Sequence, residues 1–389
     1  MLSVAAVPAL LPTFINEWSL SKTDAGWLNG TYYLGYLLAV PFLFTLTDRR
    51  PAHSIYFVCM ALSGFATLGY AFFADGFWTA LVFRLLSGIG LAGTYMPGLK
   101  LLTDQLERIN PGADHSRSVA FYTSSFGIGM SLSYFLAGEL AELWDWRWAF
   151  TILGIGPLLA LAYMAAILPR QNAAQHAQPT THLLDFRPVF RCRPAMGYVL
   201  AYTVHNFELF AFRSWVVAYL AFALTRHPGE SLVIAATAIA AASNVVGLPA
   251  SVLGNEMARR IGRHRAITLI MWTSALFAVG LGFMLDAPLW VITIAVIAYG
   301  VLITGDSSSI TAGAVAEAPP GYKGATLAVH ACIGFTGSFL GPLAFGAMLD
   351  ISSPTGIGGD TIGSWVWAFG MAAAVAALGP VFLYLLRKR

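Results

Sequence analysis

The chain has 389 residues, 57% hydrophobic and only 11% charged, with a formal net charge of +3. A soluble domain carries roughly a quarter charged residues, so the composition argues against a soluble enzyme, and no basic cluster interleaves with aromatics as a nucleic-acid surface would require. At about 20 apolar residues per span, the length accommodates roughly a dozen membrane helices.

Residues 1–15 are apolar but short for a span, and 17–22 form a turn. Thr23 and Asp24 are expected to cap a second helix running to Thr47, followed by the tight charged turn Asp48-Arg49-Arg50-Pro51. Helices 3 and 4 are expected over 54–73 and 78–102. A polar loop, 104–116, precedes helix 5 over 119–140, and helix 6 follows the Trp144 turn to near 168. Residues 169–193 form the longest polar interruption and read as a cytoplasmic linker. Helices 7 to 12 are expected over 196–224, 231–253, 266–285, 289–312, 326–348 and 364–386. The expected fold is an all-α membrane protein with twelve spans in two pseudo-symmetric six-helix bundles, 1–168 and 194–389.

Charge sets the orientation. With both termini in the cytoplasm, the loops on that side hold 17 of the 22 Lys and Arg. The opposite loops hold only Lys22, Arg147 and Arg226, so the positive-inside rule places both ends in the cytoplasm of a plasma membrane of the bacterial inner-membrane type. Trp18, Trp78, Trp144, Trp290 and Trp367 fall at the outer ends as an aromatic belt. The three cysteines, Cys59, Cys192 and Cys332, have neither disulfide nor zinc spacing. No cleavable signal peptide is expected, and no GxxxxGK[ST] phosphate loop occurs, so ATP hydrolysis is not expected to drive the protein. No cofactor or resident metal is expected.

One stretch, FRLLSGIGLAGTYMP at 83–97, buries Arg84 in an apolar run. An unpaired guanidinium there costs several kcal/mol, so it must face protein or water. Gly88, Gly90 and Gly93 follow it and allow a neighbouring helix to approach closely. The halves also echo each other: GIGMSLSYFLAGELAE, ending at Glu142, aligns with FTGSFLGPLAFGAMLD, ending at Asp350.

On these features the chain resembles the major facilitator superfamily over nearly all its length. Arg84 with Gly88 and Gly90 is similar to the family's helix 4 motif, and WRWAF at 146–150 resembles its signature between helices 5 and 6. Asp48-Arg49 fits the family's turn between helices 2 and 3, although Phe44 and Pro51 stand where glycines are usual. Arg260, Gly262, Arg263 and Arg265 fit the basic tail of the same motif, with Arg259 replacing its aspartate. The resemblance implies that Asp48, Arg49, Arg260 and Arg263 act in cytoplasmic gating. It further implies that helices 1, 4, 7 and 10 line a central cavity. Helix 5 lacks the family's drug-antiporter Gly-Pro pair, which argues against multidrug efflux.

Arg84, Glu208, Arg213 and Asp306 lie inside spans, with His205 and His330. At about 100° per residue, His205, Glu208 and Arg213 can share one face of helix 7. Glu208 can carry a proton, because its ionised form is costly in a low-dielectric cavity, or it can form a fixed ion pair with Arg213 or Arg84. Asp306 either binds a cation or proton or caps a helix break. Arg84 orients its neighbours or touches solute, and Arg213 is suited to gripping an anion in a bidentate fork. His205 and His330 are proton-coupling candidates or hydrogen-bonded packing residues. Tyr32, Tyr33, Tyr95, Tyr122 and Asn206 complete the candidate solute site.

The reading that follows is a secondary transporter, not an enzyme. It moves a small anionic or zwitterionic organic solute, coupled to protons or another ion, and is expected as a monomer with membrane lipid as its surroundings. Two alternatives stand beside it. One is a divalent-metal transporter using His205, Glu208, Asp306 and His330; the other is a non-transporting membrane sensor or intramembrane enzyme.

Overall fold

A bilayer core offers the backbone no hydrogen-bond partner, so spanning segments must satisfy their own polar groups as helices. The computed structural model, which describes residues 1–46, 50–110, 112, 115–167, 186–232, 234–353 and 361–387, accordingly has only helical regular structure among those residues. The elements are α1 (Ala6–Ala9), α2 (Leu11–Glu17), α3 (Lys22–Leu46), α4 (Ala52–Phe73), α5 (Phe77–Ile109), α6 (Ser116–Leu143) and α7 (Trp146–Ile167). After them come α8 (Arg187–Arg191), α9 (Arg193–Arg226), α10 (Ala236–Ile261), α11 (Arg263–Phe283), α12 (Leu289–Thr304), α13 (Ser307–Ala316), α14 (Lys323–Ile351), α15 (Ile362–Ala376) and α16 (Leu378–Leu386).

Among the described residues, nine helical stretches are long and apolar enough to cross a membrane. The other three expected spans correspond to the α1–α2 pair and to α3 and α6, so twelve is consistent with the helices observed. Many bulky apolar side chains are exposed, among them Phe65, Phe72, Leu159, Val252 and Leu276. In water such a surface would aggregate; against lipid it is the expected exterior.

Several local expectations are corrected. The first helix is two short pieces, with Pro12 at the start of α2, a position where its missing N–H is not needed. The cap of α3 is Ser21 rather than Thr23-Asp24. Asp24 N–H donates to Ser21 Oγ (3.0 Å) while Ser21 N–H donates to the Asp24 carboxylate (3.2 Å), a reciprocal capping box. Helix α5 continues to Ile109 through the expected polar loop, supported by an i,i+4 pair between Lys100 and Asp104 at 3.1 Å. The tenth span is broken into α12 and α13 at Gly305-Asp306. Most of the expected linker, residues 168–185, lies outside the described residues.

The chain divides into two compact units, Met1–Ala6 with Thr31–Leu183, and Val7–Gly30 with Leu184–Arg389. In the first, α5 packs on α3 and α4 through the glycines that follow Arg84. A Cβ on Gly88 would collide with the Tyr32 carbonyl, and one on Gly90 would sit 2.8 Å from Ser63 Cβ. The WRWAF segment ties α7 to the end of α4: Arg147 Nη1 donates to Ala71 O (2.9 Å), and its guanidinium lies 4.3 Å over the Trp146 ring.

In the second unit α9 is the axis, with 72% of its most apolar stretch buried, against 22% for α7 in the first unit. Around it Tyr198, Ala201 and Val204 meet Ile267 and Met271 of α11, Ile310 and Ala314 of α13, and Leu383 of α16. Tyr219 OH donates to Leu281 O at 2.7 Å, and Trp215 Nε1 to Pro342 O at 3.0 Å, so both large rings are anchored at their polar ends.

Because Gly88 leaves no room beneath Tyr32, Gly88→Val should destabilise the protein by about 1–3 kcal/mol through overpacking. Gly280→Val, where a Cβ meets nothing within 4 Å, should change stability by less than about 0.5 kcal/mol. Thermal unfolding in detergent compares the two.

Candidate functional site

The first unit holds Arg84 in an aromatic setting. The guanidinium, 2% exposed, lies 4.5 Å over the Tyr32 ring, and Nη1 reaches Val4 O at 3.5 Å. Tyr32 and Tyr33 are buried and meet edge to face at 5.4 Å. A desolvated cation over a ring is stabilised by about 2 kcal/mol, which partly offsets the cost of burying it. Tyr95 and Tyr122 form a separate stacked pair at 5.9 Å. The Tyr122 hydroxyl donates to Tyr95 O (2.7 Å) and lies 3.1 Å from Thr94 O, on the turn of α5 just before Pro97. That hydroxyl ties α6 to α5.

The second unit gathers the acids and imidazoles. His205 on α9 and Asp306 at the α12–α13 break approach to 2.9 Å between Nδ1 and Oδ1, both almost fully buried. One turn along α9, Glu208 is 2% exposed and its Oε1 accepts from Ser274 Oγ of α11 and Tyr299 OH of α12, each at 2.8 Å. On α14, His330 Nε2 lies 3.3 Å from Thr311 Oγ1 of α13. Its ring stacks on Tyr202 at 4.0 Å, and Tyr202 in turn lies nearly parallel to His205 at 5.8 Å.

Two buried ring nitrogens of this stack, His205 Nε2 and His330 Nδ1, have no hydrogen-bond partner among the described residues. Such groups are normally satisfied, by protein or by ordered water. Both lie on the stack that joins His330, Tyr202 and His205, beside the His205–Asp306 pair. Asn206, the next residue along α9 after His205, is buried as well. Arg213 is half-buried, its guanidinium 5.4 Å from the Phe210 ring.

The expected proton-coupling residues therefore all fall in the second unit, as do Arg213 and Asn206, while Arg84, Tyr32, Tyr33, Tyr95 and Tyr122 fall in the first. Among the gating candidates, Asp48 and Arg49 lie outside the described residues. Arg260 pairs with Glu256 on its own helix at 3.3 Å, as Arg259 does at 3.2 Å, in an exposed cluster. Arg263 is half-buried at the start of α11. Among the described residues no three His, Cys, Asp or Glu side chains converge as metal ligands would.

Tyr202, Ser274, Tyr299 and Thr311 are not among the residues expected from the sequence, yet each touches this set. Tyr202 was detectable one turn before His205, and Ser274 as a hydroxyl inside an apolar span. For Tyr299 and Thr311 only the tertiary packing reveals the role.

Residues 1–342 match the family model of the Major Facilitator Superfamily. A stretch of 154 residues is 23% identical to the niacin transporter NiaP of Acinetobacter baylyi, covering 40% of this chain and 34% of that protein. A stretch of 193 residues is 24% identical to the MFS-type transporter YcaD of Salmonella enteritidis, covering 48% and 47% respectively. The chain thus spans about a third to a half of the length of these curated relatives. Its fold is similar to the crystal structure of a mutant of the nucleoside transporter NupG, with TM-score 0.80, 16% identity, and 100% of this chain and 96% of that one covered. It is also similar to a bacterial homolog of the human lysosomal transporter Spinster in an inward-facing, occupied conformation. There the TM-score is 0.70 at 17% identity, with 99% and 91% covered. At these identities the likeness is one of fold.

Removing one of the two hydroxyls on Glu208, by Tyr299→Phe, should cost about 1–3 kcal/mol of stability. Combined with Glu208→Gln, the two losses should differ from additive by roughly 0.5–3 kcal/mol. Thermal unfolding of the single and double variants gives the coupling, and strict additivity would mean the two groups do not interact.

Proposed function

The chain belongs to the Major Facilitator Superfamily, and on that premise we propose that it is a proton-coupled secondary transporter of a small anionic or zwitterionic organic solute. Two six-helix halves, 1–168 and 194–389, joined by a cytoplasmic linker over 169–193, alternate access to the solute. The matching relatives are named as transporters, which sets the enzyme alternative aside.

The observation that carries the reading is the buried acid–imidazole set on α9, α12–α13 and α14. His205 and Asp306 lie 2.9 Å apart, with Glu208 one turn away. Ionised groups are retained inside a membrane protein almost only where they handle charge. When one member of a buried pair changes protonation, the other is left uncompensated, which couples proton occupancy to conformation. Divalent-metal transport is less well supported, because Glu208 is engaged by two hydroxyls and no ligand set converges among the described residues. Arg213 in the second unit and Arg84 in the first are each a guanidinium of the kind that grips a carboxylate in a bidentate fork.

The similarity to a niacin transporter suggests a first probe, since niacin is a small ring carboxylate. A nucleoside is the second probe, because of the likeness to NupG. The excess of Lys and Arg on one side supports a cell membrane location with both termini in the cytoplasm, and a monomer is sufficient for this mechanism.

In proteoliposomes, an imposed pH gradient should drive accumulation of the transported probe, and a protonophore should abolish it. Glu208→Gln and Asp306→Asn should each lower gradient-driven accumulation at least about tenfold, equivalent to about 1.4 kcal/mol, while solute exchange without a gradient persists. Accumulation at the wild-type level in both variants would remove these carboxylates from the coupling.

A further inference from the structure

Asp350 ends the segment that repeats in both halves of the sequence, yet its position is electrostatically odd. It lies in the last turn of α14, where the helix dipole disfavours negative charge. Its carboxylate is turned onto the start of another helix. Oδ1 accepts from the Lys22 N–H at 3.1 Å, and Oδ2 accepts from the Thr23 N–H at 2.8 Å and the Thr23 hydroxyl at 2.7 Å.

A helix start leaves four backbone donors unpaired, and here a carboxylate borrowed from α14 satisfies two of them. Ser21 and Asp24 provide the ordinary cap within α3 itself. The contact with Asp350 is therefore additional to what the helix needs for its own stability. It exists only while the two helix ends meet.

Below the carboxylate the two helices lie backbone to backbone. A Cβ on Gly346 would collide with the Lys22 carbonyl. One on Gly26 would lie 2.7 Å from Pro342 O, and one on Gly30 2.6 Å from Phe339 O. The Trp27 ring sits 5.6 Å from the Phe339 ring. Over the same stretch, residues up to Gly30 cluster with the second unit, whereas α3 from Thr31 onward clusters with the first. Asp350 lies at the end of α14 opposite Lys323, the end that the charge distribution assigns to the outside.

We propose that the Asp350 carboxylate and the N-terminus of α3 form a latch that keeps the outer end of the transporter shut and parts when it opens outward. The proposal rests on alternating access, not on the identity of the solute, and its test requires none. In a chain whose Cys59, Cys192 and Cys332 are replaced by alanine, Trp27→Cys serves as a reporter at the seam. The measurement is its rate of modification by a membrane-impermeant maleimide added from outside.

Asp350→Asn should raise that rate about fivefold to tenfold. Gly26→Ala, whose new Cβ must push the Pro342 carbonyl away, should raise it comparably with Asp350 intact, so the test survives if one variant fails to fold. Asp24→Ala removes only the side chain that closes the cap within α3 and should change the rate less than twofold. A wild-type rate in folded Asp350→Asn and Gly26→Ala would overturn the latch. So would equal acceleration in Asp24→Ala, because fraying of α3 alone would then explain the exposure.

Discussion

The structure depends on how charge is kept inside a membrane. An ionised side chain removed from water costs several kcal/mol even after the protein has relaxed around it, so each one needs a partner in place. His205 and Asp306 meet that requirement as a buried pair at 2.9 Å, and Glu208 meets it with two hydroxyls. The Gly305-Asp306 break between α12 and α13 follows the same logic. It places the Asp306 carboxylate, buried, beside His205 of α9.

The two units solve the problem of buried charge with different chemistry. In the first, a permanent cation, Arg84, is held against tyrosine rings and backbone carbonyl, groups that cannot take its proton at physiological pH. In the second, the buried polar groups are carboxylates and imidazoles, held against one another and against hydroxyls. The glycine seams serve both units in one way, by bringing backbones close enough that polar side chains reach across. Gly88 against Tyr32 does so in the first, and Gly26 and Gly30 against α14 do so in the second.

Much of this was legible in the amino-acid sequence, for physical reasons. Long apolar runs, one-sided cations and rare intramembrane charges are consequences of the bilayer, and they survive without any knowledge of packing. Arg84, Glu208, His205, Asp306 and His330 stood out because their neighbours are apolar. Partners did not stand out in the same way. Tyr299 lies in an ordinary apolar stretch, and only the crossing of α9 and α12 makes its hydroxyl the donor to Glu208. Asp350 reads as a surface acid at a helix end until α3 is seen to start on it. Local signals misled at the start of α3 as well: Thr23 and Asp24 look like a cap, but Ser21 takes that role because Asp24 can reach back to its N–H.

The most direct test of proton coupling is the proton movement that accompanies solute when no pH gradient is imposed. A pH-sensitive dye inside proteoliposomes should report a change in internal pH on addition of a solute that the protein is found to accumulate. The signal should scale with solute flux and disappear in Asp306→Asn. Solute flux through the wild-type protein with no proton movement would contradict the role assigned to the buried acid–imidazole set.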